Sequence, residues 1–362
     1  MIRSILLLAV LSTSAHVQAL VTKQKPTVVQ AQTTTKKIDY VTDAKYKVDY
    51  KFSSWGILPS FKDVSINVVD AWKSFKKKKE VVVAVVDTGI DYGHPFLKDN
   101  LYLPGNKKIN AKNYGMDFSK GSKNKFGPRD THGHGTHISG IIRSIFPDVK
   151  ILSLKYYNPR VKNKDNLDAT VKALEYAIDQ NVDIINYSSG GAGASIEELR
   201  VLKKAEKKGI LVVAAAGNEA SNIDIKDNYY FPASYRLENM ITVINHDKKG
   251  KLNVSSNWGV NSADLSAPGS KIKSAFPKAT SGYLTGTSQA TAFVSGVAAL
   301  LMSQYPDLKV KEIKQAILSG ARKIKTLAKK CRTGAMLDAR GAQQIASKLS
   351  RTSTRKLAQK AK

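Results

Sequence analysis

The chain has 362 residues, 42% of them hydrophobic, enough to bury one core of about 250 to 300 residues with short extensions left over, which excludes a disordered protein. Its formal charge of +29, spread over 76–79, 203–204, 207–208 and 351–362, would attract anionic polymers or lipid headgroups loosely, although a solvated face that keeps the protein soluble is the favoured reading; no nucleic-acid-binding motif accompanies it, so no specific nucleic-acid partner is expected. The single cysteine, Cys331, excludes an internal disulfide and is expected to be a buried thiol, because no histidine stands near it in sequence.

From the N-terminus, Arg3 precedes an apolar run over 5–11, and Val17-Gln18-Ala19 forms a small-residue cleavage pattern. The run is too short to span a bilayer, so residues 1–19 are expected to be a secretory signal. The predicted destination is extracellular, periplasmic or envelope-associated. Residues 20–50 are polar and rich in Thr and Lys, an expected leader or reduced propeptide. A single domain is expected over 51–349, its compact part starting near Trp55, followed by a basic tail over 350–362.

Within the domain, near-continuous apolar runs over 81–86, 149–154, 182–187, 210–216 and 240–244 read as strands buried on both faces. Apolar residues at helical spacing over 166–180 and 195–208 alternate with them. This rhythm predicts an α/β fold, three layers doubly wound around a mainly parallel sheet, with ligands at the carboxyl ends of the strands. The apolar stretch over 290–302 is too short for a membrane span and reads as a buried helix.

Three short blocks carry chemistry. Asp87 ends the first strand and is followed by Thr88-Gly89, which puts a carboxylate at the active edge of a parallel sheet. His134 lies between Gly133 and Gly135 at a predicted helix start, where the glycines leave the imidazole uncrowded. A metal site built from His132, His134 and His137 is disfavoured, because no Glu stands at HExxH spacing and no cysteine partners them. Ser288 opens the buried helix, in the positive field of its N-terminus. A plain N-cap would be the ordinary role for such a serine. The chain order Asp, His, Ser is that of subtilisin, and no G-x-S-x-G elbow is present.

Taken together, DTGID, GHGTHISG and GTSQATAFVSG resemble the three signature blocks of the subtilisin-like serine protease family, and the likeness extends from about Trp55 to Leu349. The resemblance implies a serine endopeptidase with Ser288 as nucleophile, His134 as general base and Asp87 as orienting carboxylate, and with the signal-like residues 1–19 the expected enzyme is a secreted one. Ala215-Ala216-Gly217-Asn218 resembles the oxyanion-hole segment, which carries that role onto Asn218 with the Ser288 backbone N–H as second donor. Ser188-Ser189-Gly190 resembles the strand that pairs with an extended substrate backbone beside the primary specificity pocket. Ala215, Ala216 and Gly217 are expected to contact substrate as well. Polypeptide substrates and a monomeric enzyme are expected.

The sequence also departs from the family pattern. Gln289, Ala292 and Phe293 replace the usual Met, Pro and His behind the nucleophile, and Ser189 replaces an apolar residue of the substrate strand. The family's strong calcium site needs an aspartate shortly after His94-Pro95, where this chain has Phe96, and a loop inserted in the helix after His137, for which there is no room. No cofactor or metal is therefore expected to be required, a weak calcium site near Asp224, Asp227 and Phe231-Pro232 aside. The competing reading is a catalytically silent member of the family that binds the cell envelope through its basic surface.

Overall fold

The computed structural model describes residues 45–360. In chain order the regular elements are α1 (Val68–Trp72), β1 (Val82–Asp87), β2 (Met116–Asp117), α2 (His134–Ile145), β3 (Lys150–Lys155), α3 (Asn163–Asp179), β4 (Ile184–Tyr187), α4 (Ile196–Lys207), β5 (Leu211–Ala215) and β6 (Met240–His246). They continue with β7 (Leu265–Pro268), β8 (Ile272–Phe276), β9 (Thr280–Leu284), α5 (Thr287–Gln304), α6 (Val310–Ser319), β10 (Arg322–Lys323), β11 (Ala335–Met336) and α7 (Ala339–Lys360).

The main sheet runs β10-β11-β7-β6-β5-β4-β1-β3-β2, and every pairing in it is parallel except β10 with β11. Successive strand residues point to opposite faces, so each strand feeds two cores. Val83 and Val85 of β1 enter the core shared with α2 and α5, whereas Ala84 and Val86 enter the core under α3 and α4. β5 divides in the same way, with Leu211 and Val213 on one side and Val212 and Ala214 on the other. Burial on both faces is why these strands read as unbroken apolar runs. The three-layer α/β expectation is met, and the five predicted strands each lie within two residues of those observed.

β1 sits between β3 and β4, so the chain builds outward from it first on one side and then on the other. The crevice of such a sheet opens at the carboxyl ends of the strands flanking that reversal. Asp87 ends β1, Ser188 follows β4, and Asn218 lies three residues past β5. All 18 residues of α5 are buried, which explains a helix with no polar stripe. Among the described residues no helix is long and apolar enough to cross a membrane.

Both predicted domain boundaries shift. Tyr46, inside the expected leader, is 7% exposed; its phenol donates to Asp148 at 2.6 Å and its ring packs on Trp72 and Phe75. The folded body therefore reaches at least back to Tyr46. At the other end α7 runs through the predicted boundary at 349. The signal and most of the leader lie outside the described residues.

Candidate active site

The carboxylate of Asp87, 3% exposed, accepts from the backbone N–H of Thr88 at 2.7 Å and stands 2.7 Å from Nδ1 of His134. This approach depends on Gly135. A Cβ there would lie 2.2 Å from the Gly89 carbonyl oxygen and 3.2 Å from Cβ of Asp87, so any larger residue would push the first turn of α2 off the end of β1.

That turn is also fixed by Asp130, a residue the sequence reading passed over. Its buried carboxylate accepts from the backbone N–H groups of His132, Gly133 and Thr136 at 3.0, 2.7 and 2.9 Å, and from the hydroxyls of Thr136 and Thr88 at 2.6 and 3.0 Å. The available signal was an aspartate just ahead of a helix start, where exposed N–H groups need an acceptor.

Burial alone would push the His134 imidazole below its ordinary value. The charge of Asp87, its hydrogen bond and the charge of Asp130 outweigh burial, so the net shift is upward from 6.5. A histidine acting as base must be neutral, and its raised pKa means that the neutral form is reached at a higher pH than for an unperturbed histidine. The expected kcat/KM profile therefore rises with pH on a single acid limb whose midpoint lies above 6.5. A limb centred well below that value, or a flat profile, would contradict the pairing with Asp87.

The other nearby histidines do different work. His137 is fully buried, its Nε2 donating to the Ile272 carbonyl at 2.9 Å, and burial together with the charge of His134 lowers its pKa to about 3. It is a packed, neutral residue. Among the described residues no group of three or more His, Cys, Asp or Glu side chains is placed to hold a metal ion. Cys331 is buried as expected, and burial pushes its thiol pKa upward.

Ser288 lies in the first turn of α5, where backbone N–H groups have no partner within the helix. Its hydroxyl donates to the Ser188 carbonyl oxygen at 2.8 Å and not to His134, while the Ser188 hydroxyl donates back to the Ser288 carbonyl at 3.1 Å. The second and third predicted residues are thus at the same sheet edge but not joined by a hydrogen bond.

Asn218 is held from behind. Its Oδ1 accepts from the Thr287 backbone N–H at 2.9 Å, and no acceptor among the described residues engages its Nδ2. Because the oxygen is held by Thr287 and the residue is exposed, the amide N–H₂ is left facing outward.

The predicted substrate segments are adjacent. β4 and β5 pair in register as far as Tyr187 with Ala214, and Ser188-Ser189-Gly190 and Ala215-Ala216-Gly217 continue them. Ser189 stands beside the Tyr156 phenol, whose pKa burial pushes upward. Gln289, Ala292 and Phe293 are all buried behind Ser288, with Phe293 filling the space over Gly56.

The positions that would form the strong calcium site do not suit a hard cation. Phe96 stacks on Phe52 at 4.5 Å, and the Arg143 guanidinium lies 3.9 Å from the Phe96 ring centroid. A fixed positive charge over an apolar ring opposes calcium twice. Asp224, considered for a weaker site, uses both carboxylate oxygens on the Ser262 and Asn261 backbone N–H groups at 2.8 and 2.9 Å. Millimolar EDTA is expected to leave activity and Tm almost unchanged, since a ligand that is not bound adds nothing to stability. A fall of many degrees that calcium reverses would show a strong site elsewhere.

Comparison with known proteins places these features in context. The family model for subtilases matches residues 78–343. The chain is 34% identical over 247 residues to the major intracellular serine protease of Bacillus subtilis, covering 66% of this chain and 73% of that protein. It is 32% identical over 253 residues to subtilisin E of the same species, covering 67% of this chain but only 60% of the relative. Among solved structures, a protease of Pseudoalteromonas arctica superposes with a TM-score of 0.67 at 23% identity, covering 82% of this chain and 98% of that one, a likeness of fold.

Proposed function

The chain belongs to the subtilase family of serine-type endopeptidases, and from that premise we propose that it hydrolyses internal peptide bonds through an acyl-enzyme formed on Ser288. The observation that carries the assignment of roles is the 2.7 Å bond between Asp87 and His134, at the sheet edge that also holds Ser288 and Asn218.

An extended substrate backbone pairs with the Ser188-Ser189-Gly190 edge, which sets the scissile carbonyl over α5. The Ser288 hydroxyl turns from Ser188 to His134, which takes its proton as the oxygen attacks the carbonyl carbon. Asp87 keeps the imidazole in one orientation and stabilises its charge. The oxyanion is received by Asn218 Nδ2 and the Ser288 N–H. His134 then gives its proton to the leaving amine, and a water repeats the sequence to release the acid.

Export is part of the proposal. It rests on the charged, apolar and small-residue pattern of residues 1–19, since the relatives include both an intracellular protease and a subtilisin. The exposed lysines at 76–78 and 207–208 suit loose adhesion to anionic envelope polymers. The purified chain is expected to cut denatured casein into fragments bounded by new internal termini, read by mass spectrometry. Trimming from the ends alone, or no cleavage, would overturn the endopeptidase reading.

A further inference from the structure

Beyond Tyr187 and Ala214 the ladder between β4 and β5 stops, and the two continuing segments, no longer paired, carry Gly190 and Gly217 on either side of the Tyr230 ring, the slot that the resemblance assigns to the substrate side chain. Glycines in both walls would ordinarily leave room for a substrate side chain between them. Here the slot is occupied. A Cβ placed on Gly190 would lie 2.5 Å from Cε1 and 3.1 Å from Cζ of Tyr230, and one placed on Gly217 would lie 2.9 Å from its Cδ2. Cε1 and Cδ2 stand on opposite sides of the phenol ring, so the ring spans the slot from wall to wall.

The ring is also anchored. The neighbouring Phe231 exchanges two backbone hydrogen bonds with Gly191, at 2.9 and 2.7 Å, and the Tyr230 backbone is clasped by Ser234, its N–H donating to Oγ at 3.1 Å and its carbonyl accepting from N–H at 2.8 Å. Behind it the ring packs on the cluster that contains Ala216, Ile223 and Ala233. Tyr230 as a whole is half-buried, and burial pushes its phenol pKa upward. At the rim, the Glu219 carboxylate lies against Gly217, fixed by Asn257 Nδ2 at 2.6 Å, which disfavours an acidic side chain.

Resting on the peptidase reading, we propose that Tyr230 plugs the primary specificity pocket and restricts cleavage to bonds that follow small, uncharged residues such as glycine, alanine or serine. A leucine or phenylalanine at that substrate position would need the volume the phenol already fills. The restriction comes from the ring and not its hydroxyl, so a phenylalanine at the same position would preserve it.

The test compares kcat/KM for two peptides that differ only in Ala or Phe before the scissile bond, using the parent, Tyr230→Gly and Tyr230→Phe enzymes. The parent is expected to favour Ala by about tenfold or more, Tyr230→Phe to keep that ratio, and Tyr230→Gly to shift it toward Phe by a similar factor. A parent that cleaves mainly after large aromatic or aliphatic residues overturns the proposal, and so does a folded Tyr230→Gly enzyme with an unaltered ratio. Should Tyr230→Gly fail to fold, a peptide-library profile of the parent decides alone. Labelling by a fluorophosphonate separates the two levels of inference: an enzyme that labels at Ser288 but prefers large residues loses only the plug, whereas one that neither labels nor cleaves loses the peptidase reading and the plug with it.

Discussion

Replacing Ser288 by alanine is expected to abolish turnover while the protein stays folded. The hydroxyl supplies the attacking oxygen, and its loss removes one atom from a first helical turn whose backbone bonds do not depend on it. The two hydrogen bonds between Ser188 and Ser288 shrink to one, the Ser188 hydroxyl to the Ser288 carbonyl, so the thermal midpoint should move little. His134→Ala is expected to cost about as much, because a serine without its base is a weak nucleophile. The double variant should lose little more than either alone. In subtilisin each such single loss costs about 10⁶ in kcat, and the same scale and non-additivity are carried over to this pair. Losses that multiplied in the double variant, or an alanine enzyme that still cut casein near the parent rate, would separate the two residues from one another or from the chemistry.

The second large effect is expected at Asn218. Its Oδ1 is tied to the Thr287 N–H, which aims Nδ2 at the place where negative charge develops. That charge is absent from the bound substrate, so Asn218→Ala should lower kcat and leave KM nearly unchanged. The magnitude known for the equivalent donor of subtilisin, about 10² to 10³ in kcat, is carried over to this position. Asn218→Ala also removes the acceptor of the Thr287 N–H, and a small loss of stability should accompany the kinetic change. A change confined to KM would place the side chain against substrate in the ground state and outside the oxyanion hole.

What could be read from the sequence follows the range of the interactions involved. β1, β4 and β5 announce themselves because burial on both faces demands unbroken apolar runs, and Asp87, His134 and Ser288 because each sits in a short block whose glycines and helix start are local. Asp130 was overlooked although it is only four residues from His134, since a capping carboxylate looks like any loop aspartate until its donors converge on it. Tyr46 looked like part of a solvated leader because the partner that buries it, Asp148, is 102 residues away. The β8–β9 hairpin and the helices α6 and α7 were not predicted; β9 is only partly buried, which weakens the periodic signal. Tyr230 carried no local sign at all. Its place between Gly190 and Gly217 depends on the pairing of Phe231 with Gly191 across the chain.

The central claim is that Ser288 is a nucleophile activated by His134, and it separates an enzyme from a silent relative that keeps the fold for adhesion. The most direct measurement is the reaction of the purified chain with a fluorophosphonate, followed by mass spectrometry of the labelled peptide. The account predicts one adduct, on Ser288, forming in the parent protein and lost or greatly slowed in His134→Ala. Absence of label on Ser288 in the folded parent, or labelling at an equal rate in His134→Ala, would contradict it.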